Sequence, residues 1–306
     1  MDCSDFNITV VGLGLIGGSL AMAISKKIKT KQLWGVDIDR DALDLAMASG
    51  IINKGFTDPK EPLQESDLVF VCIYPKAAVK FIRENMRHFK TGAIVTDVTG
   101  LKGLIFREIS PILRDDIDFI GGHPMAGNEF QGIQFASEKI FKGADYIMTP
   151  SAKSKRANVS LLKDLLFKIG FANVVEMGPE QHDDMVAFTS HLPHIMALSL
   201  VLNPMIENTS IYTGGSFRDV TRVARINGDL WTELLLENAS YVVKHLDIFL
   251  SNLQEFKKAI LGNDSVSLRE LFSKAQKLKE ELDLNADSPG KFKKQGLSGV
   301  YQARHN

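Results

Sequence analysis

Among the residues able to do chemistry, those at 121–129, GGHPMAGNE, stand out: a histidine set between two glycines and a proline, then a small-residue turn and a carboxylate. The apolar pair Phe119 and Ile120 directly before them reads as a strand end. His123 therefore falls just beyond it, at the edge where an open α/β sheet places its ligands. A neutral imidazole there is a candidate general base, and a buried histidine satisfied by its neighbours is the structural alternative. A second group lies in SHLPH, where His191 and His194 are three apart and share one helix face, beside a proline that must disturb the hydrogen-bond ladder. No third ligand at a recognisable spacing and no HExxH pattern accompanies them, so no metal is expected and hydrogen bonding to an anionic substrate suits them better. The third group is GGSFRDVTRVA at 214–224, where glycines including Gly215 open a charged helix start with Arg218, Asp219 and Arg222, followed by Arg225. An arginine fork binds carboxylates bidentately, although surface ion pairing accounts for some of these side chains equally well. Trp231 reads as core or as a wall of the site.

The elements that must position these groups begin with an apolar, β-branched run at 6–11, which enters GLGLIGG and then a helical pattern at 15–28. This is a strand, a tight glycine turn and a helix, the arrangement that binds a dinucleotide. Gly12 permits the turn, Gly14 lets the backbone approach a pyrophosphate, and Gly17 lets the helix pack on the strand, with Leu13, Leu15 and Ile16 completing the binding loop. A second strand at 33–36 ends at Asp37, about 20 residues after the last glycine, where a carboxylate accepts from the adenosine ribose hydroxyls. Asp37 favours NAD over NADP, whereas Arg40 is placed where an arginine accommodates a 2′-phosphate. Strands at 53–56, 68–73 and 93–96 and a helix at 76–89 continue the alternation, and their continuous apolar runs imply a sheet covered on both faces. The loops carrying Tyr74 and Pro75, and Asp97 to Gly100, then share one edge with the glycine turn and His123. This puts Tyr74, Pro75 and Asp97 with the cofactor, while Thr99 is open to a role beside His123 or to capping a helix that begins near Leu101. A strand at 146–149, a helix at 155–169 and a last strand at 172–177 complete a Rossmann-type, doubly wound parallel sheet over residues 1–178. From 179 to 306 helical periodicity takes over, in segments at 180–202, 230–261 and 267–282. By analogy, an all-α domain after a nucleotide domain closes the substrate cleft and dimerises. The tail from about 285 to 306 is polar and expected to be poorly ordered or draped over a partner.

Composition narrows the function classes. Thirty-six basic against 37 acidic residues leave a net charge of −1 over 306 residues, with no long run of one sign, which points away from nucleic acid and towards a small-molecule substrate. The two cysteines, Cys3 and Cys72, form no CxxC pair, Cys72 reads as core, and the start of the chain lacks a secretory pattern. No apolar stretch reaches the roughly 18 residues of a membrane span. A cytoplasmic enzyme with no membrane association is expected.

The motifs GLGLIGGSLA, DVTGLK, GGHPMAGNE, SHLPH and GGSFRDVTRVA, in this order across nearly the whole chain, resemble the prephenate/arogenate dehydrogenase family of tyrosine biosynthesis. The resemblance implies NAD(P)-dependent oxidative decarboxylation of prephenate to 4-hydroxyphenylpyruvate, or of arogenate to tyrosine, on a Rossmann domain joined to a helical dimerisation domain, hence a homodimer. It implies that His123 hydrogen-bonds the ring C4 hydroxyl, that Arg222 holds a substrate carboxylate and that His194 contacts the substrate side chain. Glu129 and Trp231 match positions near the family's site, and His191 and Gly215 join the substrate group. One departure is Gly100, where many members carry a serine whose hydroxyl assists the histidine; Thr99, one residue earlier, is the available substitute. Members frequently carry a C-terminal regulatory ACT domain, for which residues up to 306 leave no room. The rival readings are a β-hydroxyacid dehydrogenase, which uses a catalytic lysine, and a non-catalytic NAD-binding sensor. The GGHP and SHLPH pair speaks against the first, and the set of His123, His194 and Arg222 against the second.

Overall fold

A computed structural model describes residues 3–127, 130–209 and 211–286. Glu129 and residues 287–306, which hold most of the polar tail, lie outside the described residues. The chain forms two compact units, Met1–His245 and Leu246–Asn306.

In chain order the first unit begins β1 (Asn7–Val11), α1 (Leu15–Lys27), β2 (Gln32–Val36), α2 (Arg40–Ala48), β3 (Lys54–Phe56), α3 (Lys60–Glu65), β4 (Leu68–Val71), α4 (Pro75–Asn85), β5 (Ile94–Asp97) and α5 (Gly103–Ile109). It continues with β6 (Asp118–Pro124), β7 (Asp145–Pro150), α6 (Arg156–Ile169), β8 (Asn173–Glu176), α7 (Pro179–Val186), α8 (Leu192–Val201), α9 (Gly215–Thr221) and α10 (Gly228–Glu237). Helix α11 (Ala239–Leu261) runs into the second unit, which also holds α12 (Ser265–Ala286). Within that unit Phe256 and Phe272 pack with ring centroids 6.1 Å apart. Among the described residues no helix is long and apolar enough to cross a membrane.

The eight strands form one sheet in the order β3-β2-β1-β4-β5-β6-β7-β8. Alternate residues of each strand feed opposite faces, so Ile8, Val10, Leu68 and Phe70 pack under α1 and α6, while Val69, Val71, Val95 and Phe119 pack under α4 and α5. Burial on both faces is why these strands read as continuous apolar runs. The order reverses between β1 and β4, and a ligand binds in the crevice at such a switch point, beyond the strands' C-terminal ends.

The sheet departs from a fully parallel one at β7, which runs antiparallel to β6 with His123 opposite Ile147. Among its described residues the connection at 125–144 carries short 3-10 turns and no crossover helix, so the chain folds back beside β6 rather than crossing the sheet. Helix α6 then supplies the crossover that makes β8 parallel to β7. His123 also lies inside β6, not beyond it, because pairing with β7 extends the strand to Pro124. Between α7 and α8 the chain makes a π turn at Ala187–His191, and Pro193 sits in the first turn of α8, where its missing N–H is tolerated. The expected disturbance of the ladder is thus localised to this turn.

Candidate active site

The glycine turn meets the requirements of a dinucleotide. Gly12 has φ +86°, and a side chain there would stand 2.5 Å from Ile73 Cγ2. At Gly17 a Cβ would lie 1.8 Å from the Gly12 carbonyl oxygen, so helix and strand can meet only through glycine. Gly14 faces open space, and the first turn of α1 holds neither a side-chain cap nor an acidic residue, which leaves its N–H groups for an anion. Asp37 follows β2 and accepts from the Leu13 N–H at 2.6 Å and the Asp39 N–H at 2.9 Å. It is thereby tied to the glycine turn with further lone pairs to offer. Leu13 is otherwise core, and Arg40 is exposed at the start of α2.

A cleft of about 810 Å³ runs from this turn to the helices. It brings together Gly14, Leu15, Ile16, Tyr74, Pro75, Thr99, Gly100, His123, His191, His194, Arg222, Arg225 and Trp231. Cys72 also lines it, so this residue is a wall of the cleft rather than interior core; burial, then the nearby Asp97 carboxylate, push its thiol far up. Gly215 is exposed at the first position of α9 and is not among the cleft's walls.

Asp97 is not among the walls of the cleft. It is fully buried and accepts from the Lys102 ammonium, from the Thr99 N–H at 2.9 Å and from the Gly122 N–H at 3.1 Å. Lys102, equally buried, also donates to the Gly122 carbonyl at 2.6 Å. The pair therefore clamps the end of β5 to the residue that precedes His123. Burial pulls the Lys102 ammonium down, and Asp97 opposes that pull. A Cβ at Gly122 would lie 2.0 Å from the Tyr146 hydroxyl, and one at Gly121 would lie 2.1 Å from Thr149 Oγ1, which accounts for both glycines before the histidine.

The Thr99 hydroxyl is committed elsewhere: Asp97 Oδ2 lies 2.6 Å from it and the Leu101 carbonyl 2.9 Å. A hydroxyl with one proton serves these acceptors and not His123, so Thr99 does not take the place of a serine at 100. A Cβ built on Gly100 would stand 3.7 Å from His123 Nε2, which is where such a side chain would act.

His123 is half-buried in the cleft wall, with Nδ1 2.9 Å from Nε2 of His182. His182 Nδ1 is in turn 2.7 Å from Asp183 Oδ1. Asp183 also accepts the Lys102 and Gly103 N–H groups, each at 2.8 Å, and so caps α5. Burial, followed by the nearby His182, Lys102 and His191, holds His123 well below the usual imidazole range, so it is neutral and able to accept a proton. Sequence reasoning missed both His182 and Asp183. Their signal was the phase of α7, since His182, Asp183, Val186 and Ala187 recur at helical spacing on one buried face.

His191 is buried, with Nδ1 3.3 Å from Asn238 Nδ2, and burial brings it down to about 4. Asn238 Nδ2 also donates to the Asp183 carbonyl at 2.9 Å. His194 lies against Trp231 with centroids 3.9 Å apart and donates Nδ1–H to the Ser190 carbonyl at 2.8 Å, leaving Nε2 for a ligand. Arg222 and Arg225 make no ion pair with a described residue, whereas Arg218 is held by the Thr213 carbonyl at 3.0 Å. Among the described residues no cluster of three or more His, Cys, Asp or Glu is arranged to hold a metal.

The chain has counterparts among known proteins. Residues 20–175 match the family model of the prephenate dehydrogenase nucleotide-binding domain, and residues 178–274 that of the prephenate dehydrogenase dimerization domain. The chain is 32% identical to prephenate dehydrogenase of Bacillus subtilis over 90% of its own length and 76% of that protein's. It is 30% identical to cyclohexadienyl dehydrogenase of Zymomonas mobilis over 92% and 97% of the two lengths. The crystal structure of Aquifex aeolicus prephenate dehydrogenase in complex with hydroxyphenyl propionate and NAD+ superposes with a TM-score of 0.81 at 28% identity, covering 90% of this chain and 98% of that one. With a glycine turn, a histidine on β6 and an arginine beyond α9 opening into one cleft, and with the two family models matched over residues 20–175 and 178–274, this chain belongs to the prephenate dehydrogenase family.

Proposed function

We propose that the protein carries out the NAD-dependent oxidative decarboxylation of prephenate to 4-hydroxyphenylpyruvate, a step of tyrosine biosynthesis. The observation that carries this reading is a neutral His123 opening into the same cleft as the glycine turn and Arg222. Bound NAD supplies the hydride acceptor for C4 of the ring. Gly12, Gly14 and the N-terminus of α1 would hold its pyrophosphate, and Asp37 would accept from its adenosine ribose. His123 Nε2 takes the proton of the C4 hydroxyl as hydride leaves C4. The bond to the ring carboxylate then breaks with release of CO2, its electron pair aromatises the ring and reaches the oxygen on C4, and that oxygen takes the proton back from His123. Arg222 neutralises a substrate carboxylate, and Trp231 and His194 form the wall beside it.

Prephenate is favoured over arogenate by charge. The cleft has two arginines, Arg222 and Arg225, and no carboxylate among its described walls to meet the ammonium of arogenate. We place the domain boundary at 178/179, a division supported by the two family matches that meet there. A homodimer formed through the helical part is supported by the description of the second match. An absorbance assay crossing prephenate and arogenate with NAD and NADP tests the reading. The prephenate and NAD pair should give the highest kcat/KM, and NAD binding without turnover of either substrate would make the protein a nucleotide sensor instead.

A further inference from the structure

We infer that His182 and Asp183 are positioning residues that fix the tautomer of His123, holding its Nδ1 protonated so that Nε2 presents a lone pair to the substrate hydroxyl. This rests on the reading of His123 as the proton acceptor, and the hydrogen-bond chain dictates it in one direction only. Asp183 receives three donors, the Lys102 N–H at 2.8 Å, the Gly103 N–H at 2.8 Å and His182 Nδ1 at 2.7 Å, so it is an ionised acceptor. The proton between Asp183 and His182 therefore belongs to His182 Nδ1. A neutral His182 has then only a lone pair at Nε2, and the 2.9 Å bond to His123 requires that Nδ1 of His123 be the donor. What remains at His123 Nε2 is the lone pair that general base catalysis needs.

The surroundings keep both rings neutral. His182 is fully buried, and burial lowers its proton affinity although Asp183 opposes this. The charged and titratable groups around the pair are Lys102, His191, Asp183 and Asp97. The Lys102 cation, held in place by Asp97, weighs against a second positive charge on either imidazole. When His123 takes the substrate proton, the imidazolium keeps its Nδ1–H on His182 and Asp183 stays a carboxylate; no proton moves along the chain. The backbone N–H groups of α5 lock Asp183, so the start of one helix sets the protonation state of a side chain on a neighbouring strand.

The tautomer can be read in the free enzyme by ¹⁵N NMR of the imidazole nitrogens near pH 7.5. His123 should be protonated at Nδ1 and bare at Nε2; a proton on Nε2 overturns the inference, whatever the substrate proves to be. Asp183→Asn should reverse the chain, move the His123 proton to Nε2 and lower kcat about 10²-fold or more with little change in KM. Unchanged kcat in a folded Asp183→Asn enzyme that still binds NAD also overturns it. His182→Gln places a carbonyl oxygen where Nε2 was and should keep kcat within about tenfold of wild type, while His182→Leu loses about 10²-fold. Equal losses in these two variants would assign His182 to packing alone. If Asp183→Asn or His182→Leu does not fold, the wild-type NMR result and the His182→Gln rate decide. A wild-type enzyme that shows the stated tautomer but turns over neither substrate leaves the relay standing and refutes the proposed reaction.

Discussion

His123 owes its character to what surrounds it at the scale of single atoms. Burial and the neighbouring His182, Lys102 and His191 keep it unprotonated, and the clamp between Asp97, Lys102 and Gly122 fixes the strand that carries it. Replacing His123 by Asn removes the general base and should lower kcat by about 10²- to 10⁴-fold with a smaller change in KM, measured by steady-state kinetics. Arg222→Ala should act on the other parameter: a charge-assisted bond worth about 1.5–3 kcal/mol is lost from ground state and transition state alike, so KM rises roughly 10- to 100-fold while kcat holds. Gly100 offers a gain instead of a loss. The atoms nearest to a Cβ there are Leu234 Cδ2 at 3.4 Å and His123 Nε2 at 3.7 Å, so Gly100→Ser fits with a small adjustment and brings a hydroxyl beside Nε2. That hydroxyl can bond the histidine and the substrate oxygen together, and the variant should raise kcat several-fold, up to about tenfold. A kcat equal to or below wild type would show that this enzyme has come to work without it.

At the scale of elements, the π turn and the junction of α10 with α11 bring the substrate-side groups into place. Asn238 lies at that junction and reaches both the Asp183 carbonyl and His191, so one amide holds α7 and the turn before α8 to the next helix. Asn238→Leu leaves a buried carbonyl and an imidazole without this partner, and should destabilise the protein by about 1–3 kcal/mol in denaturant unfolding. Much of this architecture was legible beforehand. The strands announced themselves because burial on both faces makes them continuous apolar runs, and the glycine turn because each glycine answers a distinct steric demand. The direction of β7 was not legible, since an apolar run carries no polarity and only the absence of a crossover helix sets it. Asp97 was misplaced because loop residues at the cofactor edge and residues buried just beneath it have the same sequence neighbourhood. His182 was missed for a related reason: in EQHDDM it looks like part of a solvated helix start, and the phase it shares with Val186 and Ala187 says that it is buried but not that it meets His123.

For the molecule as a whole, the buried histidines couple activity to stability through pH. His123 and His182 are held below their ordinary value of 6.5, and His191 is held at about 4, burial being the leading cause in each case. In the unfolded chain these imidazoles titrate near 6.5, so below that pH the unfolded state binds protons that the fold refuses. Their contribution to stability is fully present above about pH 6.5 and is lost as pH falls through the window between the unfolded and folded values. Each such histidine tilts stability by about 1.4 kcal/mol per pH unit within that window. Asp183 adds a second loss at lower pH, because its hydrogen bonds to His182 and to two backbone N–H groups outweigh burial and hold it below 3.8. Tm should therefore be level above pH 7 and fall steeply between about pH 6.5 and 4.5, as measured by scanning calorimetry. Catalysis should follow a different curve. His123 stays neutral in the fold well below 6.5, so kcat/KM per folded molecule should persist at a pH where Tm has already dropped. A Tm that holds level from pH 7 to 5 would mean that these imidazoles are charged in the fold, and His123 would then be unable to act as the base.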